Sequence, residues 1–240
     1  MKLSIVPIYV LLVFSFSVYI TYRARRDDRV SMPEARSVYL FITGLFGWTV
    51  VATVLGLHNI HTAPWLLDRV PLLWQACVAV SMFMGMFALS HTFRRALDGL
   101  ADATPTTWLV FFQALRIGAL GSVVKAARGE ITSSFPLWVG IPDFLYGVSA
   151  IFLGWLLLRG SVGHPTTLVS WALAGAGIIL LPLFGLMPYW MNEPGFTFIF
   201  EFPMVISPSI IVPILILFDF LLAWKAIRQG SERPDTSLTL

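Results

Sequence analysis

Two charged residues lie inside long apolar runs of the sequence. Arg116 falls in the run 106–123 and Asp143 in the run 136–158. A charged side chain at the centre of a membrane helix costs about 2.5–3.5 kcal/mol even on insertion scales, so such residues face one another or a polar site. Here a guanidinium could hold an anionic group, and a carboxylate could serve as its counter-charge or as a proton carrier.

The spacing predicts that the two charges meet. Arg116 precedes Val123, the outer end of its run, by seven residues, and Asp143 follows Pro136, the outer start of the next run, by seven. At 1.5 Å per residue both lie about 10 Å below the same membrane boundary. Consecutive spans form an antiparallel hairpin, which brings the charges together. Gln113 shares the helix face of Arg116 and is predicted to add a hydrogen bond.

The run that contains Asp143 also carries small residues on one face. Spacings of three and four place Gly140, Gly147 and Gly154 on the face of Asp143. Small side chains let a neighbouring helix approach closely. We therefore predict that these glycines pack against another helix and that Asp143 points into that contact instead of into lipid.

The residues of this hairpin resemble a known pattern. Gln113-Ala-Leu-Arg116 precedes Gly140-Ile-Pro142-Asp143-Phe-Leu-Tyr-Gly147. The arrangement is similar to small bacterial multi-pass membrane proteins of no assigned activity. They have a Q-x-x-R element and then a glycine-rich element around an aspartate in successive spans. The match covers 113–147, with proline at 142 in place of a glycine. The resemblance implies that the polar residues and the flanking glycines act as one unit, and it supplies no reaction, substrate or cofactor.

Composition identifies the elements that must position these residues. The 240 residues are 57% hydrophobic and only 12% charged, and the mean hydropathy is +0.80. An average soluble domain has roughly 25% charged residues. The chain is therefore predicted to be an all-α membrane protein, and functions that need a separate soluble catalytic or DNA-binding domain are excluded. Since the basic residues lie between apolar runs, we expect no nucleic-acid partner.

Seven apolar runs predict a seven-helix transmembrane bundle over residues 1–229, followed by a disordered cytoplasmic tail at 230–240. The predicted spans are 5–20, 38–57, 70–89, 106–123, 136–158, 166–186 and 203–224. Alternate connections divide the Lys and Arg residues eleven to four. The more basic side is cytoplasmic, so the amino terminus is predicted outside and the carboxy terminus inside. We expect a location in the bacterial inner membrane.

Two acidic residues in the last third of the sequence have different predicted environments. Glu201 lies among Phe196, Phe198, Phe200 and Phe202, whose strict alternation indicates an extended segment. This segment is interpreted as an aromatic belt in the interface. The alternative is a lid that adds Glu201 to the site of Gln113, Arg116 and Asp143. Asp219 is predicted to lie near the inner interface, paired with Lys225 or Arg159.

Histidines offer only a weak metal site. His58 and His61 have i, i+3 spacing at the outer end of the second run, and Asp68 could complete a ligand set. Two residues at an interface are poor evidence for a metal. We therefore expect no metal and no cofactor. Enzyme activity is the least favoured hypothesis, because no second acid or nucleophile is placed at the depth of Asp143.

Three functional hypotheses remain open. The leading one is binding or translocation of a small anionic or amphiphilic ligand at the intramembrane site. The second is a non-catalytic scaffold or accessory subunit, in which the Arg116–Asp143 pair is structural and a membrane-protein partner or second copy binds an exposed surface. Small residues of the sixth run are candidates for that surface, namely Ala172, Ala174, Gly175, Ala176 and Gly177. The third is an intramembrane enzyme. In every case the lipid bilayer is a partner.

Overall fold

All regular elements in the part of the chain that the structure describes are helices. The structure is a computed structural model, and it describes residues 5–67, 74–161, 164–186, 193 and 196–231. Helices suit an apolar chain because their backbone polar groups bond within the segment, where the hydrocarbon offers no water. The α-helices are α1 (Val6–Arg26), α2 (Met32–Leu57), α3 (Pro64–Leu67), α4 (Trp74–Leu89), α5 (His91–Ala103), α6 (Thr106–Phe112), α7 (Leu120–Ala127), α8 (Ile141–Leu158), α9 (Pro165–Gly185) and α10 (Val212–Ser231).

Shorter helical turns join or extend several of these helices. The 3₁₀ turns are Ile60–Thr62, Gln113–Ala119 and Phe196–Phe200, and the π turns are Pro136–Gly140 and Ser207–Ile211. The 3₁₀ turn Gln113–Ala119 connects α6 to α7, and each π turn leads directly into a longer α-helix. The fourth, fifth and seventh predicted spans are therefore each built from more than one helix type.

Six helices among the described residues are long and apolar enough to cross a membrane. They are Val6–Arg26, Met32–Leu57, Thr106–Ala127, Pro136–Leu158, Pro165–Pro182 and Ser207–Gly230. A seventh span is obtained only if α4 and α5, which are bent by 105°, are taken together. The fold is therefore helical with six to seven candidate spans, compatible with the seven predicted. The last helix continues through Ser231, whereas 232–240 of the predicted tail lie outside the described residues.

The bend between α4 and α5 has a local cause. Ser90 lies between the helices, and its Oγ accepts a hydrogen bond from Phe93 N at 3.1 Å, which satisfies an unpaired amide at the start of α5. Arg94 NH1 donates to the carbonyls of Phe87 and Ala88 at the end of α4. The sequence prediction treated this region as a connection and missed α5.

The described residues divide into two compact units. The first comprises those of 1–103 and 191–215, and the second those of 104–190 and 216–240. In the first unit α2 packs against α1, α4 and α5. Its interior includes a cluster of three phenylalanines, Phe41, Phe83 and Phe93, with ring centroids 5.4–6.0 Å apart.

The second unit contains every residue of the predicted hairpin. Helix α8 packs against α6, α9 and the 3₁₀ turn Gln113–Ala119. The described part of α10 from Ile216 onward belongs to the same unit, where Phe218 contacts Phe112 at a centroid distance of 5.1 Å. This arrangement places residues of four candidate spans around Arg116.

Candidate site around Arg116

The local helix type aligns Gln113 with Arg116. Both residues lie in the 3₁₀ turn Gln113–Ala119, which has three residues per turn, so side chains at i and i+3 are eclipsed. Arg116 Nε donates to Gln113 Oε1 at 2.9 Å. The two side chains are buried, with 1% and 0% of Arg116 and Gln113 exposed.

Arg116 also binds Asp143 of the next span. Its NH1 donates to Asp143 Oδ1 at 2.8 Å. The backbones approach closely here, since a Cβ added to Gly147 would lie 2.6 Å from Ile117 N and 2.9 Å from the carbonyl carbon of Arg116. Glycine at 147 therefore lets α8 lie directly against the 3₁₀ turn that carries the guanidinium.

The other two glycines of the stripe also face the fourth span. A Cβ at Gly140 would overlap Ser122 Oγ, and one at Gly154 would lie 2.6 Å from the ring of Phe111. Contacts therefore run along the helix pair on both sides of the Arg116–Asp143 bond.

A second carboxylate completes the cluster. Arg116 NH2 donates to Asp219 Oδ2 at 2.5 Å, and the hydroxyl of Tyr146 donates to Asp219 Oδ1 at 3.0 Å. Asp219 is 1% exposed. The predicted pairing of Asp219 with Lys225 or Arg159 is therefore wrong. The helix that carries it begins later and ends later than the apolar run 203–224, which places Asp219 near the middle of the span Ser207–Gly230.

The sixth span contributes a backbone group and an aromatic support. Arg116 NH1 donates to the carbonyl of Gly175 at 2.9 Å, and a side chain at 175 would overlap the ring of Tyr146. The Tyr146 ring lies 4.8 Å from the guanidinium carbon of Arg116 and stacks on Trp171 at 4.3 Å. Trp171 Nε1 in turn donates to Ser149 Oγ at 3.0 Å.

Burial distinguishes the two carboxylates. The side chains of Arg116 and Asp219 are 0% and 1% exposed, while that of Asp143 is 11% exposed. Both oxygens of Asp219 accept hydrogen bonds, whereas Asp143 accepts one, through Oδ1. The cluster therefore joins one guanidinium to two unequal carboxylates.

Glu201 and Arg116 belong to different compact units. Glu201 is exposed and belongs to the first unit, so its membership of the site stays a prediction. The extended conformation predicted around it is wrong, because Phe196–Phe200 form a 3₁₀ turn. Phe196 and Phe200 contact each other with centroids 5.9 Å apart and are buried. Side-chain packing at spacing i, i+4 overrides the period-two pattern here.

The histidines predicted as a weak metal pair have different environments. His58 is exposed, while His61 is fully buried. His61 Nε2 lies 3.1 Å from the carbonyl of Ala52, and His61 Nδ1 lies 3.1 Å from the amide nitrogen of Gln75. Within the described residues no three His, Cys, Asp or Glu side chains are grouped as metal ligands. Asp68 lies outside the described residues.

The small residues of the sixth span do not form one exposed surface. Ala172, Gly175 and Ala176 are buried, while Ala174 is exposed and Gly177 is intermediate. Gly175 is occupied by its contact with Tyr146. Three of the five candidate positions for a partner surface are therefore buried within this chain.

Sequence reasoning missed Asp219, Tyr146 and Gly175 as members of the cluster. Tyr146 had a usable signal, since it follows Asp143 at i+3 on the same helix face. Asp219 had one too, as an acidic residue inside an apolar run. The carbonyl of Gly175 had none, because every residue of the chain has the same backbone carbonyl.

No protein-family model, curated protein or solved structure matches this chain. The resemblance of 113–147 to small bacterial membrane proteins therefore stays a prediction. The function of the Arg116 cluster has to be inferred from its own geometry.

Proposed function

We propose that the protein is an integral membrane protein that binds and exchanges a small cation, first of all a proton, at the cluster of Gln113, Arg116, Asp143 and Asp219. Each of these residues lies within a candidate span. The observation that supports this function is that two carboxylates share one buried guanidinium.

The charges of the cluster do not cancel. Two ionised carboxylates and one guanidinium leave one net negative charge, and the other hydrogen-bonding groups, Gln113, Tyr146 and the Gly175 carbonyl, are neutral. An uncompensated charge away from water is costly, and proteins relieve it by binding a proton or a counter-ion. One bound proton makes the cluster neutral.

The unequal carboxylates indicate where the proton binds. Asp219 receives donors on both oxygens, from Arg116 and Tyr146, which stabilises its ionised form. Asp143 receives its single described hydrogen bond on Oδ1 and has the larger exposed fraction. We assign the exchangeable proton to Asp143 Oδ2 and the role of fixed counter-charge to Asp219.

The same geometry favours a cation over the anionic or amphiphilic ligand predicted from sequence. A guanidinium has five N–H donors. Four of those of Arg116 are directed at acceptors of the protein, one at Gln113, one at Asp143, one at Gly175 and one at Asp219. An anion would find only one N–H of Arg116 without a described acceptor, whereas a proton adds to a free oxygen of Asp143.

Infrared difference spectroscopy of the protein reconstituted in lipid tests this assignment. In the wild type we expect a C=O stretching band from a protonated carboxylic acid. This band should disappear at high pH. Asp143→Asn should abolish this band. Asp28→Asn is the matched control, because Asp28 is exposed and its positive φ is one that asparagine adopts readily. The assignment is wrong if the band is absent from the wild type or persists in Asp143→Asn.

Translocation is tested separately with proteoliposomes that contain a pH-sensitive dye. An imposed membrane potential should drive proton uptake into wild-type and Asp28→Asn vesicles but not into Asp143→Asn vesicles. If the infrared band is present and the flux is absent, the cluster binds a proton without carrying it across the membrane.

A structural scaffold is the second candidate, because the Arg116 side chain is fully buried and bonded to residues of four candidate spans. Removing one partner of a buried ion pair destabilises a protein by about 3–5 kcal/mol. A purely structural cluster predicts that Asp143→Asn loses stability and that no protonation band exists in the wild type. An intramembrane enzyme is the third class and is less favoured, since among the described contacts Asp219 reaches Arg116 and Tyr146 and not Asp143.

A further inference from the structure

Three buried polar atoms without a hydrogen-bond partner occur together in the first unit. They are Trp48 Nε1, Trp74 Nε1 and Gln75 Oε1, and they make up half of the six such side-chain atoms found over the described residues. Buried polar groups in proteins nearly always have a partner, and a bound water, ion or ligand is one explanation for an orphaned group. The grouping, and not any single atom, is the informative feature.

The three side chains belong to one continuous contact cluster, which also includes His61. The rings of Trp48 and Trp74 are 5.6 Å apart between centroids, and the rings of Trp74 and His61 are 5.4 Å apart. The Gln75 amide nitrogen lies 3.1 Å from His61 Nδ1. Gln75 and His61 are both 0% exposed.

Rotation of the Gln75 amide cannot satisfy its orphaned oxygen while His61 is neutral. The carbonyl of Ala52 only accepts, so His61 Nε2 donates to it and His61 Nδ1 is left as an acceptor. That acceptor requires the NH₂ group of Gln75. Gln75 Oε1 therefore cannot bond to His61 and needs a donor that the described side chains do not provide.

The unpartnered atoms define the chemistry of a partner. Two indole N–H groups need acceptors, and one amide oxygen needs a donor. An anion without an O–H group offers no donor to Gln75 Oε1, and an ammonium group offers no acceptor to the indoles. A hydroxyl group offers two lone pairs and one O–H, which matches the requirement.

We propose that Trp48, Trp74 and Gln75, supported by His61, form a binding site for a hydroxyl group. The hydroxyl accepts from the two indole N–H groups and donates to Gln75 Oε1. Helix α2 ends at Leu57, shortly before the turn Ile60–Thr62 that carries His61. The hydroxyl can come from water or from a lipid headgroup, which share this chemistry.

Proton NMR of ¹⁵N-indole-labelled protein in nanodiscs tests the site and identifies the source. The Trp48 and Trp74 signals are assigned with Trp48→Phe and Trp74→Phe, which remove the N–H and keep an aromatic ring. In phosphatidylcholine, whose headgroup has no hydroxyl, we expect cross-peaks from both indole protons to water. In phosphatidylglycerol, cross-peaks to headgroup protons in place of water identify the lipid as the source.

The sharing of one hydroxyl has its own test. Trp48→Phe should weaken the cross-peak of the Trp74 indole at least twofold, because the bound hydroxyl loses one of its donors. Trp138→Phe, at an exposed position of the second unit, is the matched control and should leave it unchanged. The proposal is overturned if neither indole shows a cross-peak to water or headgroup protons in either lipid. It is also overturned if Trp48→Phe leaves the Trp74 cross-peak intact.

Discussion

At the scale of single residues, Tyr146 connects the charges of the second unit to its aromatic packing. Its ring contacts both the guanidinium of Arg116 and the indole of Trp171, and its hydroxyl donates to Asp219. A cation over an aromatic face and a hydrogen bond to a carboxylate both gain strength away from water. Tyr146 therefore fixes the orientation of Asp219 relative to Arg116.

Removal of the Tyr146 hydroxyl should weaken the fold without changing its packing. We expect Tyr146→Phe to lower the free energy of unfolding by about 1.5–3 kcal/mol, the usual value of a hydrogen bond to a charged group. Chemical unfolding in detergent measures the change. Tyr22→Phe, at an exposed tyrosine, should have little effect, and an equal loss in both variants would contradict the role given to the Tyr146–Asp219 bond.

His61 should make stability depend on pH. Burial lowers the pKa of His61 from its ordinary value of 6.5, so between its folded-state pKa and 6.5 the unfolded chain binds more protons than the folded protein. The contribution of His61 to the free energy of unfolding is then constant above pH 6.5. It decreases as the pH falls below 6.5, by about 1.4 kcal/mol in total for each unit of pKa depression.

Thermal unfolding between about pH 7.5 and pH 5.5 measures this dependence. We expect the midpoint temperature of the wild type to fall over that interval and the fall to be smaller in His61→Gln. His58→Gln is the matched control, since His58 is exposed near the same helix end. A slope in His61→Gln equal to that of the wild type would show that His61 does not titrate on unfolding.

At the scale of elements, the contact between α8 and the turn Gln113–Ala119 determines the geometry of the site. A 3₁₀ turn aligns Gln113 with Arg116, and a glycine at 147 lets the facing backbone approach that turn. The Arg116–Asp143 bond of 2.8 Å forms across this contact. Any side chain at 147 has to separate the two backbones.

Gly147→Ala should therefore destabilise the protein, by about 1–3 kcal/mol as for overpacked interiors. Gly121→Ala is the matched control in the neighbouring span, where a Cβ meets nothing within 4 Å. It should be neutral or stabilise by up to about 1 kcal/mol, because alanine is the better helix former. The midpoint temperatures of thermal unfolding of the two variants are compared with that of the wild type. An equal effect of both substitutions would refute a tight contact at 147.

At the scale of the whole molecule, the topology predicted from the basic residues can be tested with single cysteines. Cys77 is the sole cysteine of the sequence and is exposed, so Cys77→Ser provides a background without thiols. We expect a membrane-impermeant maleimide to label Ser133→Cys from outside intact cells and Asp28→Cys only after the membrane is opened. The reverse pattern would invert the predicted orientation.

Helix formation and the first half of the charged cluster were predictable from sequence. Apolar runs set the helices, and the spacing of Arg116 and Asp143 from the shared loop, with Gln113 at i, i+3, indicated their proximity. These relations depend on helical geometry within one hairpin. The predicted partner of Asp219 is wrong, because the true partner depends on where a distant helix begins and ends.

The sequence by itself determined that this chain is helical and apolar, and that few charges lie inside its spans. Such properties follow from side-chain hydrophobicity and the fixed rise of a helix. Only the tertiary structure decided that Asp219, 103 residues after Arg116, shares its guanidinium, and that the indoles of Trp48 and Trp74 lie beside Gln75. Contacts between separate helices depend on how the helices pack and how each is rotated about its axis. Neither the hydropathy of the sequence nor the spacing of its apolar residues specifies these.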